Sequence, residues 1–136
     1  MPQVAAIIVA GGKGTRAGRT GPKQYESLLG RKVLEWSIEA FLQHPDVGHL
    51  VVVSGTGQGQ FGPFPGTSWV PGGDSRTHSV RNGLAALDLP PDTAILIHDA
   101  ARPGLSQDMI SALIAALENA DAVAPALPVP DALKTE

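Results

Sequence analysis

The chain has 136 residues, 43% hydrophobic and 17% charged, with a formal net charge of −3 and no cysteine. That length suffices for one domain with a sizeable core, and the missing cysteines exclude a disulfide framework and a thiolate zinc site. The basic residues are scattered, which argues against a nucleic-acid surface, and no apolar run nears the roughly 20 residues of a membrane span. The N-terminus lacks the basic region and cleavage site of a signal peptide, so a cytoplasmic location is expected.

Val4–Val9 is a continuous apolar run, the pattern of a strand covered on both faces. The glycine-rich stretch Gly11, Gly12, Gly14 follows it. From Val33 to Gln43 the residues Val33, Leu34, Ser37, Ile38, Phe41 and Leu42 recur at helical spacing. His49–Ser54 reads as a second buried strand, residues 55–66 as a Gly/Pro loop, and Ser68–Val70 as a short strand. Ser75 to Leu87 reads as a helix with Val80, Leu84 and Leu87 on one face, entered through Asp74 or Ser75 as its cap. Thr93–His98 is a third strong strand. Ser106 can cap a helix through Asn119 whose core face is Met109, Ile110, Leu113, Ile114 and Leu117, and Ala122–Leu127 is expected to be the next strand. This alternation predicts a doubly wound, mostly parallel α/β sheet in a single domain.

In such sheets ligands sit beyond the carboxyl ends of the strands. Three polar stretches are predicted to meet there: Ala10 to Arg16, Asp99 to Pro103, and Pro128 to Lys134. Glycines at 11, 12 and 14 let a polyphosphate approach backbone N–H groups. Arg16 offers a planar fork for phosphate oxygens and Lys23 a compact point charge. The loop has neither the Gly-Lys-Ser/Thr ending of a P-loop nor a third glycine at GxGxxG spacing, where Ala17 stands. Taken by themselves the glycines also suit a plain strand–helix connection, and Lys23 a solvated lysine. Gly72 and Gly73 permit a tight turn with exposed amides and carbonyls, while Asp74 and Ser79 add an acceptor and a hydroxyl suited to a cytosine edge. Asp99 suits either Mg²⁺ or a substrate hydroxyl, and Arg102 a second phosphate. His98 reads as structural, and His44, His49 and His78 lack metal-ligand spacing.

Taken together, AGGKGTR, GPKQY, GGDSRTHSVRNGL, HDAARP and PVPDALK resemble the 2-C-methyl-D-erythritol 4-phosphate cytidylyltransferases of non-mevalonate isoprenoid synthesis, in order and over nearly all of the chain. The resemblance implies a Rossmann-like nucleotidyltransferase domain, a homodimer, CTP and a polyol phosphate as substrates, and Mg²⁺ or another divalent cation. It matches Arg16 and Lys23 to transition-state cations, and Ala10, Gly11, Gly12 and Gly14 to the CTP loop. It matches Gly73, Asp74 and Ser79 to cytosine contacts, with Arg76 in the same segment, and Asp99 and Ala100 to residues near ribose, metal and acceptor. Arg102 matches an acceptor-phosphate contact made across the dimer.

Three departures stand out. The first loop reads Ala10-Gly11-Gly12 where the family commonly has Ala-Ala-Gly. Asp131, an expected acceptor contact, is followed by Ala132 instead of threonine, which removes a hydroxyl. The family domain also runs on well past this length, so the chain is expected to be the N-terminal portion of a longer enzyme, of which a bifunctional fusion is one form. Ribitol-5-phosphate cytidylyltransferase, which shares the Ala-Gly-Gly loop, and a non-catalytic CTP-binding fragment remain as alternatives.

Overall fold

The computed structural model describes residues 3–11, 27–55 and 65–128. Four parallel strands form its sheet: β1 (Val4–Ala10), β4 (Val47–Ser54), β5 (Ser68–Pro71) and β6 (Ala94–Asp99), in the order β5-β4-β1-β6. The chain builds outward from β1 through β4 to β5, then crosses back to lay β6 on the other side of β1. The strand order therefore reverses between β1 and β6, which makes that crevice the topological switch point. Register brings Ala10 beside Ser54 and Val9 beside Asp99. The chain ends of β1, β4 and β6 thus open on one edge.

β1 is the central strand, and its apolar run is buried on both faces as its composition requires. Alternate residues Val4, Ala6, Ile8 and Ala10 join Leu50, Val52 and Leu96 on one face. There α1 (Val33–Leu42) covers them with Leu34, Ile38 and Phe41, and α3 (Gln107–Ala116) with Ile110. Gln107 Nε2 donates to the Ala40 carbonyl at 2.6 Å and His44 Nε2 lies 2.8 Å from Ser111 Oγ, stitching the two helices together. The opposite face carries Ile7, Val51 and Val53, with Val9, Val70, Leu87 and Ile95 against them. It is covered by α2 (Arg76–Ala86). A short hairpin, β2 (Ser27–Leu28) and β3 (Arg31–Lys32), leads into α1. Trp36 holds it, donating to the Leu28 carbonyl at 2.9 Å while Arg31 lies 5.2 Å over its ring.

The expected strands and helices are present to within a few residues, and four details differ. The hairpin has no counterpart in the sequence reading, because two-residue strands leave no periodicity to read. Leu42, Leu84 and Met109, expected on core faces, are each 40% exposed or more. α2 buries Ser79 and Gly83 instead of an apolar stripe. The expected strand Ala122–Leu127 does not form: residues 120–128 carry no regular structure. Pro125 and Pro128 have no N–H for a ladder. Ala122 to Pro125 instead line a cavity of about 330 Å³ beside Ile95, Ile97 and Leu113. Residues 56–64 of the Gly/Pro loop lie outside the described residues. No described helix is long and apolar enough to cross a membrane.

Candidate active site

β1 delivers Ala10, buried, and then Gly11 to the switch point. A Cβ at Gly11 would lie 3.8 Å from Gly55 Cα and 3.9 Å from Ser79 Oγ, which is ordinary contact. Packing among the described residues therefore does not demand glycine at position 11.

Gly72 is the opposite case. A Cβ there would stand 2.9 Å from the Ser54 carbonyl oxygen and 3.0 Å from Ser79 Oγ. Its N–H donates to that carbonyl at 2.6 Å, fastening the loop after β5 to the end of β4. The Gly73 N–H donates to Ser79 Oγ at 3.1 Å, and a side chain at 73 would overlap the His78 ring. Both amides expected to be exposed are thus engaged within the protein. Ser75 supplies the helix cap, its hydroxyl accepting from the His78 N–H at 3.1 Å, so of the two candidates Asp74 is left outside the cap and exposed. Ser79, one turn into α2 and buried, touches the loop with the same hydroxyl that faces Gly11.

Asp99 ends β6 and points to the α2 side of the sheet. Arg76, the first residue of α2, places Nη2 3.0 Å from Oδ1, and Arg102 places Nε 3.5 Å from Oδ2. All three side chains are substantially exposed, so these pairs add little to stability. Their consequence is geometric, because one carboxylate joins α2 to the turn after β6 across the switch point. Buried Ala100 donates its N–H to the Val9 carbonyl at 3.0 Å, and the Arg102 N–H returns to the Asp99 carbonyl at 3.1 Å.

His98 points to the other side, against α1. Its ring meets Phe41 edge-on, with centroids 5.7 Å apart. Nε2 lies 2.9 Å from the Arg102 carbonyl oxygen and 3.1 Å from Ser37 Oγ, which itself donates to that carbonyl at 3.3 Å. A carbonyl can only accept, which assigns the ring proton to Nε2. Burial pushes the imidazole below its ordinary value of 6.5 against the upward pull of the Arg102 hydrogen bond and the Asp99 charge. The sequence reading of His98 as structural agrees with these contacts. Its link to Ser37, 61 positions away, left no trace in local pattern.

Of the expected site residues, Ala10, Gly11, Gly73, Asp74, Ser79, Asp99, Ala100 and Arg102 come together around this corner. Gly12, Gly14, Arg16, Lys23 and Asp131 lie outside the described residues. Among the described residues no group of three or more His, Cys, Asp or Glu is arranged to hold a metal. Asp99 with phosphate oxygens is a donor set that suits Mg²⁺, though in this structure both of its oxygens face guanidinium groups.

The sequence matches the family model for 2-C-methyl-D-erythritol 4-phosphate cytidylyltransferase over residues 4–136. A relative in Hyphomonas neptunium, the bifunctional enzyme IspD/IspF, is 47% identical over 99% of this chain and 36% of its own length. The crystal structure of the cytidylyltransferase from Thermus thermophilus is 32% identical and superposes with a TM-score of 0.76, covering 98% of this chain and 58% of that one. The bifunctional IspDF of Campylobacter jejuni is 25% identical with a TM-score of 0.82, over 98% of this chain and 35% of that one. The chain thus spans only part of the length of these relatives. A match that runs through the ends of all four parallel strands, together with the shared fold, establishes that this chain belongs to the 2-C-methyl-D-erythritol 4-phosphate cytidylyltransferase (IspD) family.

Proposed function

We propose that this chain carries the CTP-binding portion of an enzyme that transfers CMP from CTP to 2-C-methyl-D-erythritol 4-phosphate, releasing pyrophosphate. One observation carries the reading: Gly11, the Gly72–Gly73 loop and the Asp99 carboxylate between two arginines meet at the switch point of a parallel sheet. Packing among the described residues would allow a side chain at Gly11, and a glycine there suits a closely approaching phosphate. Family membership supplies the substrates.

The acceptor phosphate is already an anionic nucleophile. Its oxygen bonds to the α-phosphorus of CTP while the bond to the β-phosphate bridging oxygen breaks, and pyrophosphate carries the electron pair away. Catalysis is then alignment and charge neutralisation. Arg16 and Lys23 serve as the cations at the α-phosphoryl group, and Ala10, Gly11, Gly12 and Gly14 as the triphosphate loop. Gly73, Asp74 and Ser79 hold cytosine. With both loop amides engaged, carbonyl oxygens and the Asp74 carboxylate are left to accept from its amino group. Ala100 and Asp99 lie toward the ribose and acceptor, and Arg102 and Asp131 take the acceptor phosphate. Mg²⁺ held by the triphosphate and Asp99 would neutralise phosphate charge. The working form is a cytoplasmic homodimer, and the bifunctional relative supports a parent fused to a second enzyme.

The test is pyrophosphate release by the full-length protein with CTP and Mg²⁺, given 2-C-methyl-D-erythritol 4-phosphate or ribitol 5-phosphate. Release with the erythritol phosphate alone is expected. Release with ribitol 5-phosphate alone would move the protein to the other acceptor. Saturable CTP binding without turnover on either would make it a non-catalytic binder.

A further inference from the structure

Ser37 is fully buried on the face of α1 that otherwise presents Leu34, Ile38 and Phe41 to the core. A hydroxyl in that position costs stability unless it is hydrogen-bonded. Its partners lie outside its own helix. They are the His98 ring and the carbonyl of Arg102, two residues that bracket the turn carrying Asp99. That carbonyl receives both His98 Nε2–H and the Ser37 hydroxyl. The same turn is pinned on its other side by the Ala100 N–H to Val9, and across itself by the Arg102 N–H to Asp99. The backbone of Arg102 is thereby fixed at three points while its guanidinium stays 78% exposed and able to turn toward a ligand.

We infer that Ser37 and His98 are positioning residues, which clasp the Arg102 carbonyl and so aim the Asp99–Arg102 turn at the acceptor phosphate. The inference rests on the cytidylyltransferase reading above and extends it to α1, a helix with no residue of its own among the expected substrate contacts. Neither side chain touches substrate. The clasp acts on the acceptor half of the site and leaves the glycine loops that face CTP untouched, because no hydrogen bond of the clasp reaches Gly11, Gly72 or Gly73.

The experiment compares Ser37→Ala, His98→Leu and His98→Gln with wild type in the full-length protein. It reads the KM for each substrate and the hydrogen exchange of the Ala100 and Arg102 amides. In Ser37→Ala the acceptor KM should rise about five- to tenfold, the scale of one lost hydrogen bond, with the CTP KM unchanged within about twofold. The Arg102 amide should exchange about tenfold faster while amides of β1 and β4 keep their protection. His98→Leu should behave alike. His98→Gln, whose side-chain amide can donate near the Nε2 position, should restore most of both. Equal rises in both KM values, or unchanged exchange at Arg102 in Ser37→Ala, would overturn the clasp. If wild type turns over neither acceptor, the cytidylyltransferase reading falls, and the exchange data alone then decide whether the clasp holds the turn.

Discussion

The two faces of the sheet are built on opposite principles. On the α1 and α3 side, helices hold themselves off the strands with large side chains: Leu34, Ile38, Phe41 and Ile110 fill the space above Ile8, Val52 and Leu96. Each such side chain contributes roughly 1.5–3 kcal/mol by leaving water. On the α2 side the helix comes in close because it lacks side chains where it touches. Gly83 sits so near the sheet that a Cβ would lie 2.9 Å from Ile7 Cγ2 and 3.0 Å from Val53 Cγ2, and Ser79 is the other buried residue of that helix. The first face holds the domain together. The second gives up burial to bring the start of α2, with Ser75, Arg76 and Ser79, to the ends of β1, β4 and β6.

The comparison breaks most visibly on the side of large residues. Phe41→Ala removes a fully buried ring from the middle of the α1 face and should cost about 3–5 kcal/mol. Against a typical total of about 5–15 kcal/mol, that is enough to lower the folded fraction at physiological temperature. Urea unfolding of the full-length protein measures it. A loss under about 1 kcal/mol would mean that α1 does not carry the core.

A subtler substitution probes the α2 side. In an ordinary helix interior Gly→Ala stabilises by about 1 kcal/mol. At Gly83 the sign should reverse, because the methyls it meets branch directly from the Cβ atoms of two buried strand residues and cannot move without turning χ1. Overpacking of this kind costs about 1–3 kcal/mol, so Gly83→Ala should destabilise by about 1 kcal/mol net. In a Val53→Ala background, where one of those methyls is gone but Ile7 Cγ2 remains, the same substitution should become less destabilising, a coupling that a double-mutant cycle reads directly. Plain stabilisation by Gly83→Ala in wild type would show that α2 is not pressed against the sheet.

That asymmetry also decides what the sequence could reveal. β1 and most of β4 are legible because a strand buried on both faces must be apolar throughout, and β6 because it too is an apolar run, although only Leu96 in it is buried. The edge that gathers the site follows from where those runs stop. α1 is legible because its contact stripe is made of large residues. The contact face of α2 is legible only in part: of Val80, Leu84 and Leu87, Leu87 does pack against the sheet, but Leu84 is 40% exposed and the residues the helix itself buries are a serine and a glycine, which no hydrophobic pattern scores. Ala122–Leu127 looks like a strand by composition, but two prolines in and beside it oppose a ladder. The glycine turns and Asp99 announced themselves by residue type at strand ends. The Ser37–His98 clasp did not, because a serine in an amphipathic helix and a histidine at a strand end each have bland local explanations, and only the fold brings them together.

His98 belongs to the face of large residues, and acid should expose the cost of putting a titratable ring there. Burial holds its folded-state value below 6.5, so the folded chain prefers the neutral ring. Between that lowered value and 6.5 the unfolded chain takes up a proton that the folded chain refuses, and protonation then favours unfolding. The neutral-ring stability is therefore complete above 6.5 and is lost progressively as the pH falls through the lowered folded value. Carboxylates titrate further down in acid, so the wild-type curve alone does not isolate the ring. The difference from His98→Gln does, since that variant keeps a donor near the Arg102 carbonyl and has nothing to titrate. The urea midpoint of wild type should fall relative to His98→Gln as pH is lowered from about 7.5 to about 5, and the two should run parallel above about 7. Parallel curves throughout would mean that the ring is as well solvated in the fold as in the open chain, and that the Phe41 side of the sheet does not close over it.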